Sequence, residues 1–324
     1  MNRGDLALGG ATVLVTGGHG FLGRHVVEAL HTAGAARVVA PCREEADLRE
    51  RDAVRKLIAD ERPDSVIHLA AVVGGIGANR AEPGRFFYEN AVMGMELLEA
   101  CRLGGVAKVV NVGTVCSYPK ALPVPFREEQ FWDGDPEESN AAYGIAKKAV
   151  LEMGRAYRAQ YGMPVIGVLP VNLYGPGDRS GAETSHVIPG LVRRFVIATD
   201  RGATSVSLWG TGNATREFLH VRDAARGIVL ATAHYDGAGP VNLGSGREIS
   251  IATLAGEIAD LVGYRGAIHW DASRPDGQPR RLVDSTKARE QFGFVAEIPF
   301  AIGLAETVAS LSAEIRRETT GEAP

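Results

Sequence analysis

The chain has 324 residues with a formal net charge of −4, and 45% of them are apolar. That length exceeds one average domain and supplies volume for a large core, so one large α/β unit or two closely packed units are expected. The charge balance leaves no basic field for nucleic acid, and clustered arginines must answer to local anions instead. Cys42, Cys101 and Cys116 are odd in number and widely spaced, with no CxxC. They argue against a disulfide frame or a zinc site, so no metal is expected, and for a reducing compartment. The opening MNRGDLALGG lacks a signal-type apolar core, and no apolar run reaches membrane-spanning length. A cytoplasmic protein with no membrane partner is expected.

Residues 11–16 (ATVLVT) form a short β-branched run that predicts a strand, followed by Gly17-Gly18-His19-Gly20-Phe21-Leu22-Gly23 and a helical pattern through Ala33. A strand at 37–40, a helix near 51–59 and a strand at 65–69 follow, then a helix near 86–102 and a strand into Val112. A helix over 141–160 and a strand over 165–169 extend the series. Such alternation predicts right-handed βαβ crossovers and a Rossmann-type, doubly wound parallel α/β sheet. Beyond Pro170 the pattern loosens. Gly, Pro, Ser and Thr crowd 174–185 and 272–281, as expected of loops that wrap a ligand, while helices are expected near 188–199, 222–234, 251–262 and 301–315. We expect a dinucleotide-binding domain over residues 1–173, completed by 217–245, and a smaller carboxyl-terminal substrate domain over 174–324.

Gly17, Gly20 and Gly23 stand between the first strand and the first helix. Glycines there let the chain turn tightly and let a phosphate reach the helix amino terminus, where free N–H groups and the dipole favour anions. The second strand runs out as Val39-Ala40-Pro41-Cys42-Arg43. A guanidinium at that place favours a ribose 2′-phosphate and hence NADP, whereas Glu44 and Glu45 directly after it keep NAD, or a plain solvated turn, as alternatives.

Tyr143 and Lys147 lie four residues apart at the start of a helix, on one face. A cation at that distance is expected to lower the phenol's pKa, making Tyr143 a proton donor or acceptor, while Lys147 holds the nicotinamide ribose. The stretch NVGTVCSYPK, residues 111–120, places Thr114, Cys116, Ser117 and Tyr118 at the carboxyl end of a buried strand. In open α/β sheets ligands sit at that edge. The alternative is a turn whose hydroxyls satisfy backbone groups.

With Thr114, Tyr143 and Lys147 matching its catalytic hydroxyl, tyrosine and lysine, the sequence resembles the extended short-chain dehydrogenase/reductase family over nearly its whole length. Within that family it is similar to the branch that epimerises and reduces nucleotide-linked 4-keto-6-deoxyhexoses. The resemblance rests on Val73-Gly74-Gly75-Ile76, Cys116-Ser117-Tyr118-Pro119-Lys120, Asn172-Leu173-Tyr174-Gly175-Pro176 and Ser185-His186-Val187-Ile188-Pro189. Trp209-Gly210, Arg216-Glu217-Phe218-Leu219-His220 and Pro275-Asp276-Gly277 complete it. It implies that Cys116 and His186 exchange protons with the carbons beside a ketone while Thr114 and Tyr143 hold the keto oxygen; Ser117 and Tyr118 are read as packing.

The cofactor residues it implies are Gly17, His19, Gly20, Phe21, Gly23, Arg43, Leu69, Ala70, Ala71, Tyr143, Lys147, Pro170, Asn172, Leu173 and His186, for NADP(H). Those implied for a nucleotide-diphosphate sugar are Asn172, Val187, Arg194, Trp209, Arg216 and Arg281. A GDP-linked substrate is expected, the alternatives being a ketoreductase of another sugar nucleotide, such as a TDP-linked one, with little epimerisation, or an inactive NADP-sensing protein. A 4,6-dehydratase is disfavoured because Thr114-Val115-Cys116 carries no carboxylate. The family often has serine where Thr114 stands, and some members have arginine where His19 stands. Family members pair through the helices here near 86–102 and 141–160, so a homodimer is expected.

Overall fold

β1 (Thr12–Thr16) is β-branched and almost wholly buried, as a strand covered on both faces must be. In the computed structural model, which describes residues 8–178, 186–274 and 277–320, it starts a βα series. The series runs through α1 (Phe21–Thr32), β2 (Arg37–Val39), α2 (Arg51–Glu61), β3 (Ser65–His68), α3 (Ile76–Ala81) and α4 (Pro83–Leu103). It continues with β4 (Lys108–Val112), α5 (Ala141–Tyr161) and β5 (Val165–Pro170). After β6 (Asn172–Tyr174) come α6 (Val187–Asp200), β7 (Ser205–Trp209), β8 (Thr215–His220), α7 (Val221–His234) and β9 (Pro240–Leu243). The chain ends in β10 (Glu248–Ser250), α8 (Ile251–Val262), β11 (Ala267–Asp271), α9 (Thr286–Phe292) and α10 (Phe300–Thr320).

The large sheet has the order β2-β1-β3-β4-β5-β9 with every neighbour parallel. The chain leaves β1 to one side for β2 and crosses back to the other for β3, so the order reverses between β1 and β3. A crevice at the carboxyl ends of strands at such a switch point is where α/β sheets bind ligands. One face of the sheet packs Val13, Val15 and Ile67 against Val26 and Leu30 of α1 and Ile228 of α7. The other packs Leu14, Val66 and Val109 against Val54, Ile58, Leu97 and Val150 of α2, α4 and α5. Gly94 lets α4 and α5 approach closely: a Cβ there would stand 2.6 Å from Val150 Cγ1.

The second layer holds two small sheets, β10-β8-β6 and β11-β7, and its own core of Phe195, Leu254 and Leu311 from α6, α8 and α10. The strands β6, β7, β10 and β11 escape the sequence reading because none is an unbroken buried apolar run, so their conformation owes more to pairing than to local pattern. β8 spans six residues and contains the Arg216-Glu217-Phe218-Leu219-His220 motif. Of residues 217–245, β9 joins the large sheet, while β8 pairs with β6 in the small one. Residues 179–185, 275 and 276, which include Ser185, Pro275 and Asp276 of the quoted motifs and parts of both expected ligand-wrapping loops, lie outside the described residues. Among the described residues no helix is long and apolar enough to cross a membrane.

Glu217 on β8 stitches the second layer to the large sheet. Its Oε2 accepts from Val283 N at 2.9 Å in the interior and its Oε1 from Gly246 N at 2.6 Å in the part-buried turn after β9. Burial pushes its carboxyl above the ordinary value while these N–H donors pull the other way. Glu217→Ala leaves both donors without a partner, and we expect a loss of about 3 kcal/mol in urea denaturation; an unchanged midpoint would contradict the clamp.

Candidate active site

The loop after β1 turns at Gly17, whose φ is +72°. A Cβ there would come within 2.8 Å of Ala70 N on the loop leaving β3, and one at Gly23 within 2.0 Å of Gly17 O. Gly20 is the N-cap of α1 and makes no side-chain cap bond, and Phe21 opens the helix. No side chain from the cap therefore competes for the first amides of α1, and no Cβ fills the cradle in front of them. A dinucleotide pyrophosphate fits this place by both criteria. Leu69 and Ala70 close its far wall, their amides donating to Thr16 O at 3.1 Å and Thr16 Oγ1 at 3.4 Å, and half-buried Ala71 follows them.

Beyond β2, the His19 Nε2 lies 2.8 Å from Ala40 O, which makes that nitrogen the N–H donor. Glu45 turns back to accept from Cys42 N at 2.8 Å. Arg43 is exposed and reaches Asp47 Oδ2 at 3.3 Å through its Nε. The Glu45 carboxylate is thus engaged in the turn, and the guanidinium of Arg43 is exposed.

At the carboxyl end of β4 the backbone enters a single 3₁₀ turn over Val115–Ser117 with Thr114 as its cap, the hydroxyl accepting from Cys116 N at 3.2 Å. α5 lies against this turn. Ser117 Oγ donates to Gly144 O at 2.8 Å, and a Cβ on Gly144 would fall 2.8 Å from Cys116 O. Ser117 and Tyr118 act in packing, the latter donating to Asn242 Oδ1 at 2.9 Å. Tyr143 and Lys147 project from α5 beneath the strand ends, with Lys147 Nζ donating to Val112 O at 3.1 Å. Burial lowers Lys147 to about 8.

The phenol of Tyr143 behaves opposite to the sequence expectation. Burial raises its pKa first, and the neighbouring Cys116 sulfur raises it further, so the desolvation the sequence could not display outweighs the expected help from Lys147. Tyr143 therefore keeps its proton at neutral pH. Behind Lys147 sits His68, a residue the sequence reading passed over as strand core. Its Nδ1 is 2.8 Å from Thr16 Oγ1, and burial first, then the Lys147 charge, hold it near 3, hence neutral.

Arg281 also reaches this cluster, its Nη1 donating to Cys116 Sγ at 3.5 Å. His186 caps α6, more than half exposed, with its Nδ1 3.6 Å from Asp178 Oδ1. Val187 opens α6 and is exposed. Pro170 ends β5, and in β6 the Asn172 Nδ2 donates to Glu217 O at 2.9 Å, with Leu173 half-buried beside it. In the second layer Trp209 is 64% exposed, with the guanidinium of Arg194 5.8 Å and that of Arg274 5.3 Å from its ring centre. Arg194 is steadied by Ser207 O, and Arg216 by Thr215 O at 2.7 Å. Arg280 is paired at the surface with Glu248. The structure thus gathers Thr114, Cys116, Tyr143, Lys147 and Arg281 at one strand end and sets Arg194 and Trp209 on the second layer. His68, Asp178, Gln278 and Arg274 are the neighbours that sequence reasoning missed as individual residues; the loops expected to wrap a ligand at 174–185 and 272–281 contain Asp178, Arg274 and Gln278, and nothing pointed to His68.

A glycine cradle at the switch point and a hydroxyl, phenol and ammonium at the next strand end are the parts of a dinucleotide-dependent oxidoreductase. The chain belongs to the NAD dependent epimerase/dehydratase family, whose model matches residues 13–244. It is 40% identical over 303 residues to the probable GDP-L-fucose synthase 1 of Oryza sativa subsp. japonica, covering 93% of this chain and 92% of that protein. It is likewise 40% identical to the GDP-L-fucose synthase of Escherichia coli (strain K12), covering 91% and 94%. Among solved structures it is similar to a GDP-L-fucose synthetase from Naegleria fowleri bound to NADP, with a TM-score of 0.86, 29% identity and 98% of each chain covered.

Gly23→Ala drives a methyl group into the Gly17 carbonyl. Overpacking of this kind costs about 1–3 kcal/mol, so NADPH binding followed by fluorescence is expected to weaken about tenfold or more; native affinity would refute the cradle.

Proposed function

We propose that this protein is an NADPH-dependent epimerase/reductase of a nucleotide-linked 4-keto-6-deoxyhexose, converting GDP-4-keto-6-deoxy-D-mannose to GDP-L-fucose. The observation that carries the reading is the meeting of a thiol with the hydroxyl, phenol and ammonium of a ketone-reducing site where α5 packs on the turn after β4, Gly144 pressed against the Cys116 carbonyl. A plain reductase has no use for that thiol. The names of the relatives support the substrate class, and exposed Arg43 with Glu45 engaged in the turn supports NADP over NAD. We assign cofactor binding to the large sheet and sugar-nucleotide binding to the second layer, where Arg194, Arg216 and Trp209 offer forked donors and a flat ring.

When bound, the nicotinamide supplies the hydride. The residues of this chain do the rest. A ketone acidifies the hydrogens on both adjoining carbons, so Cys116, as thiolate, takes a proton from such a carbon and the electron pair moves onto the keto oxygen. Thr114 Oγ1 and Tyr143 Oη hold that oxygen as charge develops. His186, whose Nδ1 lies 3.6 Å from Asp178 Oδ1, returns a proton on the opposite face. In the reductive step Tyr143, kept protonated by burial, gives its proton to the oxygen, and Lys147 holds the ribose.

Three free thiols support a reducing cytoplasm. α4 and α5 lie side by side and leave Phe87, Tyr88, Met95, Ile145 and Tyr161 exposed; we assign this face to a homodimer. Sedimentation is expected to give twice the chain mass, with Tyr88→Glu shifting it towards monomer, and a native monomer would overturn the assignment.

The functional reading is tested by offering GDP- and TDP-linked 4-keto-6-deoxy sugars side by side with NADPH in D₂O. The GDP sugar is expected to be reduced with deuterium at both carbons flanking C4. Cys116→Ser should cut that uptake about hundredfold while leaving some reduction, and Tyr143→Phe should cut reduction about 10²–10⁴-fold. Reduction of only the TDP sugar without deuterium would establish a plain ketoreductase, and cofactor binding without turnover of either sugar a sensor.

A further inference from the structure

Arg281 is a buried cation with an unusual neighbour. It is 7% exposed, and its backbone is pinned to β8, with Glu217 N donating to Arg281 O at 3.0 Å. From there the side chain crosses to the turn after β4. Nη1 donates to Cys116 Sγ at 3.5 Å and Nε to Gln278 Oε1 at 3.2 Å. Gln278 is itself buried and is held by its Nε2, which donates to Lys120 O at 3.1 Å. Among the described residues no carboxylate pairs with Arg281. A buried guanidinium without an anion is costly, and the group placed to supply that anion is the sulfur.

We propose that Arg281 is the positioning counter-charge that holds Cys116 as a thiolate, with Gln278 fixing the guanidinium against the sulfur. The proposal rests on the reading of Cys116 as the proton-abstracting base and adds to it the source of the reactive form. Ionisation releases one proton to solvent and creates S⁻ beside Arg281. Abstraction then forms S–H, breaks C–H and sends the electron pair to the keto oxygen, with no change of oxidation state. Among the described residues, the neighbouring groups of the sulfur do not compete. The Tyr143 phenol from α5 stays neutral, Thr114 Oγ1 accepts from the Cys116 amide, and Lys120 of the same loop is turned outward to pair with Glu138. The arrangement also spans the two layers, since Arg281 is anchored on the second and Cys116 on the first.

The test is the pH profile of carbamidomethylation of Cys116 by iodoacetamide in the protein without substrate, with loss of iodide, followed by peptide mass spectrometry so that Cys42 and Cys101 are read separately. Thiolate is the species that reacts. Arg281→Gln is expected to move the midpoint upward by at least about one pH unit, which is about a tenfold slower reaction near neutrality. Arg281→Lys should recover part of the shift. Gln278→Leu should move the midpoint in the same direction by less, and serves if Arg281→Gln does not fold. Profiles of Arg281→Gln and Gln278→Leu that superimpose on the native one would overturn the proposal and leave Arg281 as a phosphate ligand only. Because the thiol is read without substrate, a shifted midpoint together with absent deuterium uptake would fault the role of Cys116 in catalysis, not the ion pair.

Discussion

Everything at the carboxyl edge of the large sheet depends on one backbone approach, that of the loop after β1 to the loop after β3. Gly17 adopts φ +72° with no room for a Cβ against Ala70, and Gly23 packs against Gly17 with even less. A residue with a side chain at either point would push the two loops apart. The amino terminus of α1 would then no longer face the crevice. The right-handed crossovers that place β3 beside β1 bring the loop after β4 into the same row.

The second constraint is the contact between α5 and the turn after β4. Gly144 has to be small because the Cys116 carbonyl lies where its Cβ would be, and Ser117 ties the two by a buried hydrogen bond. Helix and turn consequently hold Tyr143, Cys116 and Thr114 in a fixed relation. The same burial sets their protonation: the phenol is pushed up and retains its proton, while Lys147 is brought down to about 8. Burial here acts on acids and bases in opposite directions because it always disfavours the charged form.

The large sheet was legible in the amino-acid pattern because its central strands β1, β3, β4 and β5 are buried on both faces and alternate with long amphipathic helices. Residues 11–16 and 65–69 lie within a residue or so of the observed strands, and the 141–160 helix within one. The second layer was not. Three-residue strands such as β6 and β10 owe their conformation to pairing with β8 rather than to local preference. In the site, Thr114 could be named from its place at a strand end, and Tyr143 and Lys147 from their four-residue spacing on one helix. Relations that cross layers could not: nothing in residues 277–281 says that Arg281 turns to Cys116 rather than to a phosphate, and the raised phenol of Tyr143 follows from desolvation that only the packed structure displays.

The proposed reaction requires that a single crevice serve both cofactor and carbonyl. The most direct measurement is a crystal structure of the protein with NADP and a GDP-sugar product. The account predicts the pyrophosphate at the amino terminus of α1 beside Gly20, and the nicotinamide C4 within about 4 Å of a sugar carbon whose oxygen meets Tyr143 and Thr114. A dinucleotide seated elsewhere, or a sugar bound with C4 remote from Tyr143 and Cys116, would contradict it.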